Sequence, residues 1–330
     1  MSILKKIIKS IFNLFGLEIM TLKSIQKLLE RSNKKYIKQS IKELERNLNN
    51  QIKKDLKQEL VVVADKLIRT NKSILRKKNL SYESGKFITS DFTKPYYAYT
   101  AYHAIKLASK LGHKKVSLIE FGVAGGRGLV CLERVCEQLE KIFNIEIEIY
   151  GFDLGSGLFS PKSQLDLKYW FQAGQYKMDE NYLKKELTKS KLIIGDVKDT
   201  VATFFEKYQP APIACIMHDL DYYSSTIDSF KLLSAEIKYF LPRVYCYFDD
   251  TVGTEIEMYN EYTGQLKAIR DFNEINKDKK FSQNRNLVNY NDKWRKKIYH
   301  LHLFSHPDYD KFIGESEQQN MIKRLNELNK

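Results

Sequence analysis

The sequence predicts an α/β protein built on a doubly wound, mostly parallel sheet, and three observations predict it. Five short apolar runs are separated by helical stretches, the pattern of buried parallel strands. Each run ends in an acidic residue or a glycine-rich turn, always in the direction of the chain. Ligands of such sheets sit beyond the carboxyl ends of the strands, so every chemical group falls on one rim. That convergence is the main reason to read the chain as an enzyme.

The elements follow in order. Of the 330 residues, 55 are Lys or Arg and 41 are Asp or Glu, a net charge of +14. Residues 1–80 carry +13 of it, which leaves residues 81–330 nearly neutral. The basic balance therefore describes an extension rather than a uniformly basic nucleic-acid binder. Ile3, Leu4, Ile7, Ile8, Ile11, Phe12, Leu14 and Phe15 fall on one helical face, and Lys5, Lys6 and Lys9 on the other. A helix over residues 1–16 with this segregation suits a membrane surface, or packing on the protein itself or on a second subunit. From Tyr36 to Leu75 apolar residues recur every three or four positions, which predicts a helical stem with a capacity for homo-oligomerisation. The heptad phase slips at Gln51 and Asp55, against an extended coiled coil.

No apolar run approaches the ~20 residues needed to span a bilayer, and the lysines near the start make a poor signal peptide. Cys131, Cys136, Cys215 and Cys246 show no CxxC spacing. Neither a disulfide framework nor a zinc site is suggested, so a reducing cytoplasm is the expected compartment, at the inner face of a membrane if the first helix binds lipid.

The body, residues 81–330, opens with a helix over Tyr96–Leu111. Strands are expected at 116–121, 146–152, 191–195, 212–218 and 243–248, with a late antiparallel strand near 297–304. After the first strand comes EFGVAGGRG, Glu120 to Gly128. Gly122 permits a sharp exit, and Gly125, Gly126 and Gly128 let a ligand approach the backbone. The helix that follows aims its N-terminal amides at a charged ligand end. The spacing gives neither GxGxxG nor a phosphate loop ending in GKS/T. Asp153, at the second strand end, suits a pair of ribose hydroxyls or a turn among Gly151, Gly155 and Gly157. Asp196, followed by Val197, suits an exocyclic amine or a helix N-cap.

The motifs EFGVAGGRG, GFD (Gly151–Asp153) and GD (Gly195–Asp196) resemble the cofactor motifs of class I S-adenosylmethionine-dependent methyltransferases. HDLDYYSST (His218–Thr226) and FDD (Phe248–Asp250) resemble the metal-dependent sugar O-methyltransferases typified by macrocin O-methyltransferase. The likeness runs from about Tyr97 to Phe304. It departs where the family has two adjacent glycines and this chain has Gly126 and Arg127. The resemblance implies a seven-stranded Rossmann-like sheet and a cofactor held by Glu120, Gly122, Val123, Gly125, Gly126, Asp153, Asp196 and Val197. It also implies that Asp219, Asp249 and Asp250 hold Mg²⁺, for which Mn²⁺ would fit the same oxygen donors. Asp221 would take the proton of a sugar hydroxyl, with His218 as the rival base or ligand. Four carboxylates on two neighbouring strand ends would repel one another without a cation.

Aromatics near the polar rim, Tyr169, Trp170, Phe171, Tyr222, Tyr223 and Trp294, suit sugar stacking or simple packing. Two readings from other classes stand beside this one. A nucleic-acid methyltransferase would grip phosphates with the basic arm, but gives no reason for the aspartate cluster. A non-catalytic scaffold that keeps the fold would have no need of those aspartates.

Overall fold

The computed structural model describes residues 94–314. The basic extension, its amphipathic first helix, its stem and the boundary near residue 80 lie outside the described residues. Helix α1 spans Pro95–Leu111. Proline fixes φ at its first position, and Gly112 ends it in the left-handed conformation. A two-residue turn then reverses the chain into β1, Lys115–Phe121. Because α1 runs against β1, its N-terminus returns to the carboxyl end of that strand.

The remaining elements are α2 (Arg127–Phe143), β2 (Glu146–Asp153), α3 (Glu180–Glu186), β3 (Lys191–Ile194), α4 (Val197–Tyr208), β4 (Ile213–His218), α5 (Tyr223–Phe230), β5 (Phe240–Phe248), α6 (Gly264–Ile275), β6 (Lys279–Gln283) and β7 (Ile298–Leu303). The seven strands form one sheet in the order β3-β2-β1-β4-β5-β7-β6. β7 pairs antiparallel with β5 and with β6, while the first five strands pair in parallel. This is the doubly wound sheet expected, with the class I methyltransferase fold.

Alternation along the strands divides the core between two faces. Leu118, Ile147, Ile149, Cys215 and Met217 pack under α1 and α2. Ile119, Phe121, Phe152, Ile216 and Phe248 pack under α4, α5 and α6. All four cysteines are buried thiols. No helix among the described residues is long and apolar enough to cross a membrane.

Sequence reading assigned no range to β6. Its sequence, KKFSQ, buries only Phe281, so it lacks the apolar signature. Its lysines suit the edge of the sheet, where charge discourages pairing with another chain.

The order of strands reverses between β1 and β4, since the chain winds outward from β1 to β3 and then returns to β4. Such a reversal opens a crevice at the carboxyl ends. The register places Phe121 opposite His218 and His218 opposite Phe248. The next residues, Gly122, Asp219 and Asp249, therefore stand in a row along the rim.

Candidate active site

The glycine loop after β1 is held from below by Asp153. Its Oδ2 accepts the amides of Val123 and Ala124 at 2.9 and 2.8 Å, and its Oδ1 accepts the amide of Gly155 at 2.6 Å. A carboxylate offers about four lone-pair sites, so one remains for a ligand hydroxyl. Gly122 has φ +83°, and a Cβ there would overlap the carbonyl oxygen of Asp219. Only glycine lets the ends of β1 and β4 approach this closely.

Glu120 is 1% exposed. Its Oε1 accepts the Tyr97 hydroxyl at 2.6 Å, while its Oε2 has no partner. A Cβ on Gly128 would overlap Oε1 and lie 2.9 Å from the Tyr97 hydroxyl. Burial pushes the Glu120 carboxyl up to about 7, against the pull of the Tyr97 hydrogen bond and of Lys94. Lys94 stands just before α1, on the same cavity wall. Burial alone would depress its ammonium, but Asp219, Glu120 and Asp249 outweigh that and hold it above its ordinary value.

Beyond β4 and β5 the carboxylates of Asp219, Asp249 and Asp250 each present an oxygen within 4.8 Å of the others. Asp221 adjoins them in the left-handed conformation, φ +59°. Such strain in a non-glycine residue concentrates at functional sites. The Asp221 amide donates to Asp250 Oδ2 at 3.1 Å, and the Tyr259 hydroxyl to Oδ1 at 2.9 Å. The Asp250 amide donates to Gln265 Oε1 at 2.9 Å. Asp249 Oδ1 accepts from the Tyr247 hydroxyl and, at 3.1 Å, from Lys297 Nζ. Burial and the neighbouring Asp249 and Asp250 raise Asp219 well above the usual carboxylate range. Burial, Asp250 and Asp219 do the same to Asp221. Asp250 is pushed up to about 7, by burial and then by Asp249. Three oxygens that converge while repelling one another are a donor set that a hard divalent cation relieves.

These groups line one cavity of about 590 Å³, a size that suits a cofactor. Glu120, Gly122, Val123, Gly125, Asp153, Asp196, Val197, Asp219, Asp221, Asp249 and Asp250 all reach its wall. The glycine cradle and the unpartnered oxygen of Glu120 fit an adenosyl amino acid with a free ammonium. Asp196 takes the N-cap role, its side chain accepting the Lys198 amide at 2.9 Å at the start of α4, and it also borders the cavity.

Two expected site residues lie elsewhere. Gly126 caps α2 with φ +78°, and a Cβ on it would meet Leu183 of α3 rather than the cavity. His218, the last residue of β4, alternates onto the opposite face from Glu120. Its ring stacks on Phe248 at 4.4 Å and 3° and lies 5.6 Å from Phe121. Nδ1 stands 3.4 Å from Ser229 Oγ, and Nε2 has no partner. Burial lowers its pKa to about 3. The neutral core imidazole is no base for the cavity.

The wall opposite β4 comes from the segment between β2 and α3. Tyr222 packs with Leu167 and Phe171 and donates to the Phe159 carbonyl at 3.1 Å, so it anchors this segment. Trp170 and Tyr176 border the cavity while partly exposed, at 37% and 54%. The Tyr169 hydroxyl donates to the Glu257 carbonyl at 2.8 Å, linking this segment to the one after β5. Tyr223 bonds Asp271 at 2.9 Å, and Trp294 packs beside Tyr99 at 5.7 Å.

Sequence reading missed Lys94 and Tyr259, and it weighed Lys297 as a phosphate contact or a solvated lysine rather than as the partner of Asp249. For Lys94 a signal existed: a residue before Pro95, which opens a helix that precedes β1, must stand at the ligand rim. Lys297 directly precedes β7, whose pairing of Ile298 with Tyr247 brings it to Asp249, whereas Tyr259 reaches Asp250 from a loop whose path no local pattern fixes.

No protein-family model and no curated protein matches the sequence. Among solved structures, the chain is similar to CalS11, a calicheamicin methyltransferase, at 17% identity over 81% of this chain and 91% of that one, TM-score 0.44. It is similar to the O-methyltransferase NovP at 14% identity, over 62% and 80%, TM-score 0.41. It is also similar to the O-methyltransferase TomG from Streptomyces achromogenes at 12% identity, over 71% and 87%, TM-score 0.35. At these identities the likeness is one of fold.

Proposed function

We propose that this chain is an S-adenosylmethionine-dependent O-methyltransferase that also requires a divalent cation, Mg²⁺ or Mn²⁺. Its acceptor is a sugar hydroxyl on a glycan, a glycolipid or a glycosylated metabolite. One observation carries the reading: the glycine-lined slot at β1 and the carboxylate group at β4 and β5 share a single cavity. A donor with an amino-acid end and a hydroxyl acceptor thereby come within reach of each other.

When bound, the cation supplies polarisation of an acceptor hydroxyl and the sulfonium supplies the methyl group. Asp219, Asp249 and Asp250 would hold the cation. Asp153 would hold a ribose hydroxyl, and Glu120 the ammonium of the amino-acid end. Asp221, which adjoins the three through the hydrogen bond of its amide to Asp250, would receive the acceptor's proton. The cavity walls then fix the line of attack, which is where most of the rate arises in methyl transfer. Trp170 and Tyr176 offer apolar faces at the rim for a sugar ring. The sugar acceptor is supported by these faces and by the motif resemblance around His218–Thr226.

The test is calorimetric titration of S-adenosylhomocysteine with and without Mg²⁺. Methyl transfer from labelled S-adenosylmethionine to a panel of nucleotide sugars and oligosaccharides follows. Binding, with transfer that chelation removes, is expected. Absence of binding under both conditions would discard the reading. The amphipathic pattern of residues 1–16 supports a position at a membrane surface. Co-sedimentation with anionic liposomes, compared between the full chain and one lacking those residues, tests it; equal partitioning discards it.

A further inference from the structure

The cavity ends, on the side of α1, in two opposite charges. The negative pole is Glu120 Oε2, buried and without a donor. The positive pole is the Lys94 ammonium, at the start of α1 and on the cavity wall. The first residue of that helix, Pro95, has no N–H, and the Tyr97 and Ala98 amides donate to the Lys94 carbonyl at 3.1 and 3.3 Å, so the helix leaves the positive charge here to Lys94. The ammonium rides over the ring of Tyr97 at 4.8 Å and over that of Tyr96 at 5.7 Å. The Tyr97 hydroxyl in turn holds Glu120, so one aromatic residue spaces the two poles.

A single positive pole would accept any anion, and a single buried carboxylate any cation. The pair, on the wall of one cavity, is complementary to an α-amino acid zwitterion. Lysine serves as a point charge for a carboxylate. We propose that Lys94 is the residue that selects the α-carboxylate of the cofactor's amino-acid end, while Glu120 Oε2 takes the α-ammonium beside it. This rests on the proposed function, since it presumes that the ligand is an adenosyl amino acid. In this role Lys94 positions the sulfonium, because both ends of the amino-acid arm are then tied down.

The experiment compares two ligands by calorimetry on the full chain: S-adenosylhomocysteine, and its decarboxylated analogue S-adenosyl-3-thiopropylamine. They differ only in the carboxylate. The wild type is expected to prefer the first by roughly ten- to hundredfold, the range for a hydrogen bond to a charged group. In Lys94→Gln the preference collapses to within about threefold, and affinity for the decarboxylated ligand is unchanged. Lys94→Arg keeps the charge and retains most of the preference, which separates loss of the ion pair from loss of folding. Equal weakening of both ligands in Lys94→Gln, or an unchanged preference, overturns the assignment and leaves the proposed function standing. Failure of the wild type to bind either ligand removes both.

Discussion

Gly122 carries two demands at once. Its φ of +83° excludes side chains at a cost of about 1–2 kcal/mol, and the space a Cβ would need is already held by backbone, the Asp219 carbonyl oxygen. A flexible side chain could move aside; a strand end cannot. Gly122→Ala is therefore expected to lower stability by on the order of 3 kcal/mol and to weaken S-adenosylhomocysteine binding together with it. Urea unfolding and calorimetry read both, and a variant with the wild-type urea midpoint would contradict the geometry. His218 makes the contrasting case at this scale. The sequence placed it beside Asp219 but could not show which face of the sheet its ring takes. With its ring between Phe121 and Phe248, His218→Phe is expected to bind S-adenosylhomocysteine within about threefold of the wild type. A loss greater than tenfold would return the imidazole to the site.

At the scale of elements, the strands were legible because buried parallel strands are apolar runs, and the rim carboxylates were legible because they end those runs. The segment between β2 and α3 was not legible, because its anchors are distant in sequence. Asp166 is the main one. It is fully buried, and it accepts the Lys162 amide at 2.8 Å, the Ser224 amide at 2.8 Å and the Ser224 hydroxyl at 3.1 Å. Ser224 lies in the first turn of α5, a helix without a cap of its own. A carboxylate 58 residues away thus supplies the cap and completes the acidic end that a helix N-terminus favours. The same contact fastens the cavity wall to the turn that carries Asp219 and Asp221. Asp166→Ala removes three part-buried hydrogen bonds and the cap of α5, so a loss of about 1–3 kcal/mol is expected. Limited proteolysis should then cut between residues 154 and 179 before it cuts the sheet. Cleavage that begins elsewhere would show that Asp166 does not govern this segment.

Across the whole molecule, the carboxylate cluster sets function against stability. A carboxyl whose affinity for protons is raised by folding binds its proton more tightly folded than unfolded. Its contribution to stability is complete below the ordinary value near 4 and is lost as pH rises through the folded value. For Asp250 that value is about 7, and Asp219 and Asp221 shift in the same direction. Without a divalent cation, stability should therefore fall between pH 5 and pH 7.5, by on the order of 3 kcal/mol. A cation that binds only the folded cluster opposes this fall, adding about 2.7 kcal/mol at a hundred times its dissociation constant. Asp219→Asn removes one charge from the group, so the metal-free variant should melt above the wild type at pH 7.5 and respond little to Mg²⁺. Melting temperatures across this pH range, with Mg²⁺ and with chelator, decide the matter. A wild type that melts at one temperature from pH 5 to 7.5, and that Mg²⁺ leaves unmoved, would mean that these carboxylates neither repel one another nor await a cation.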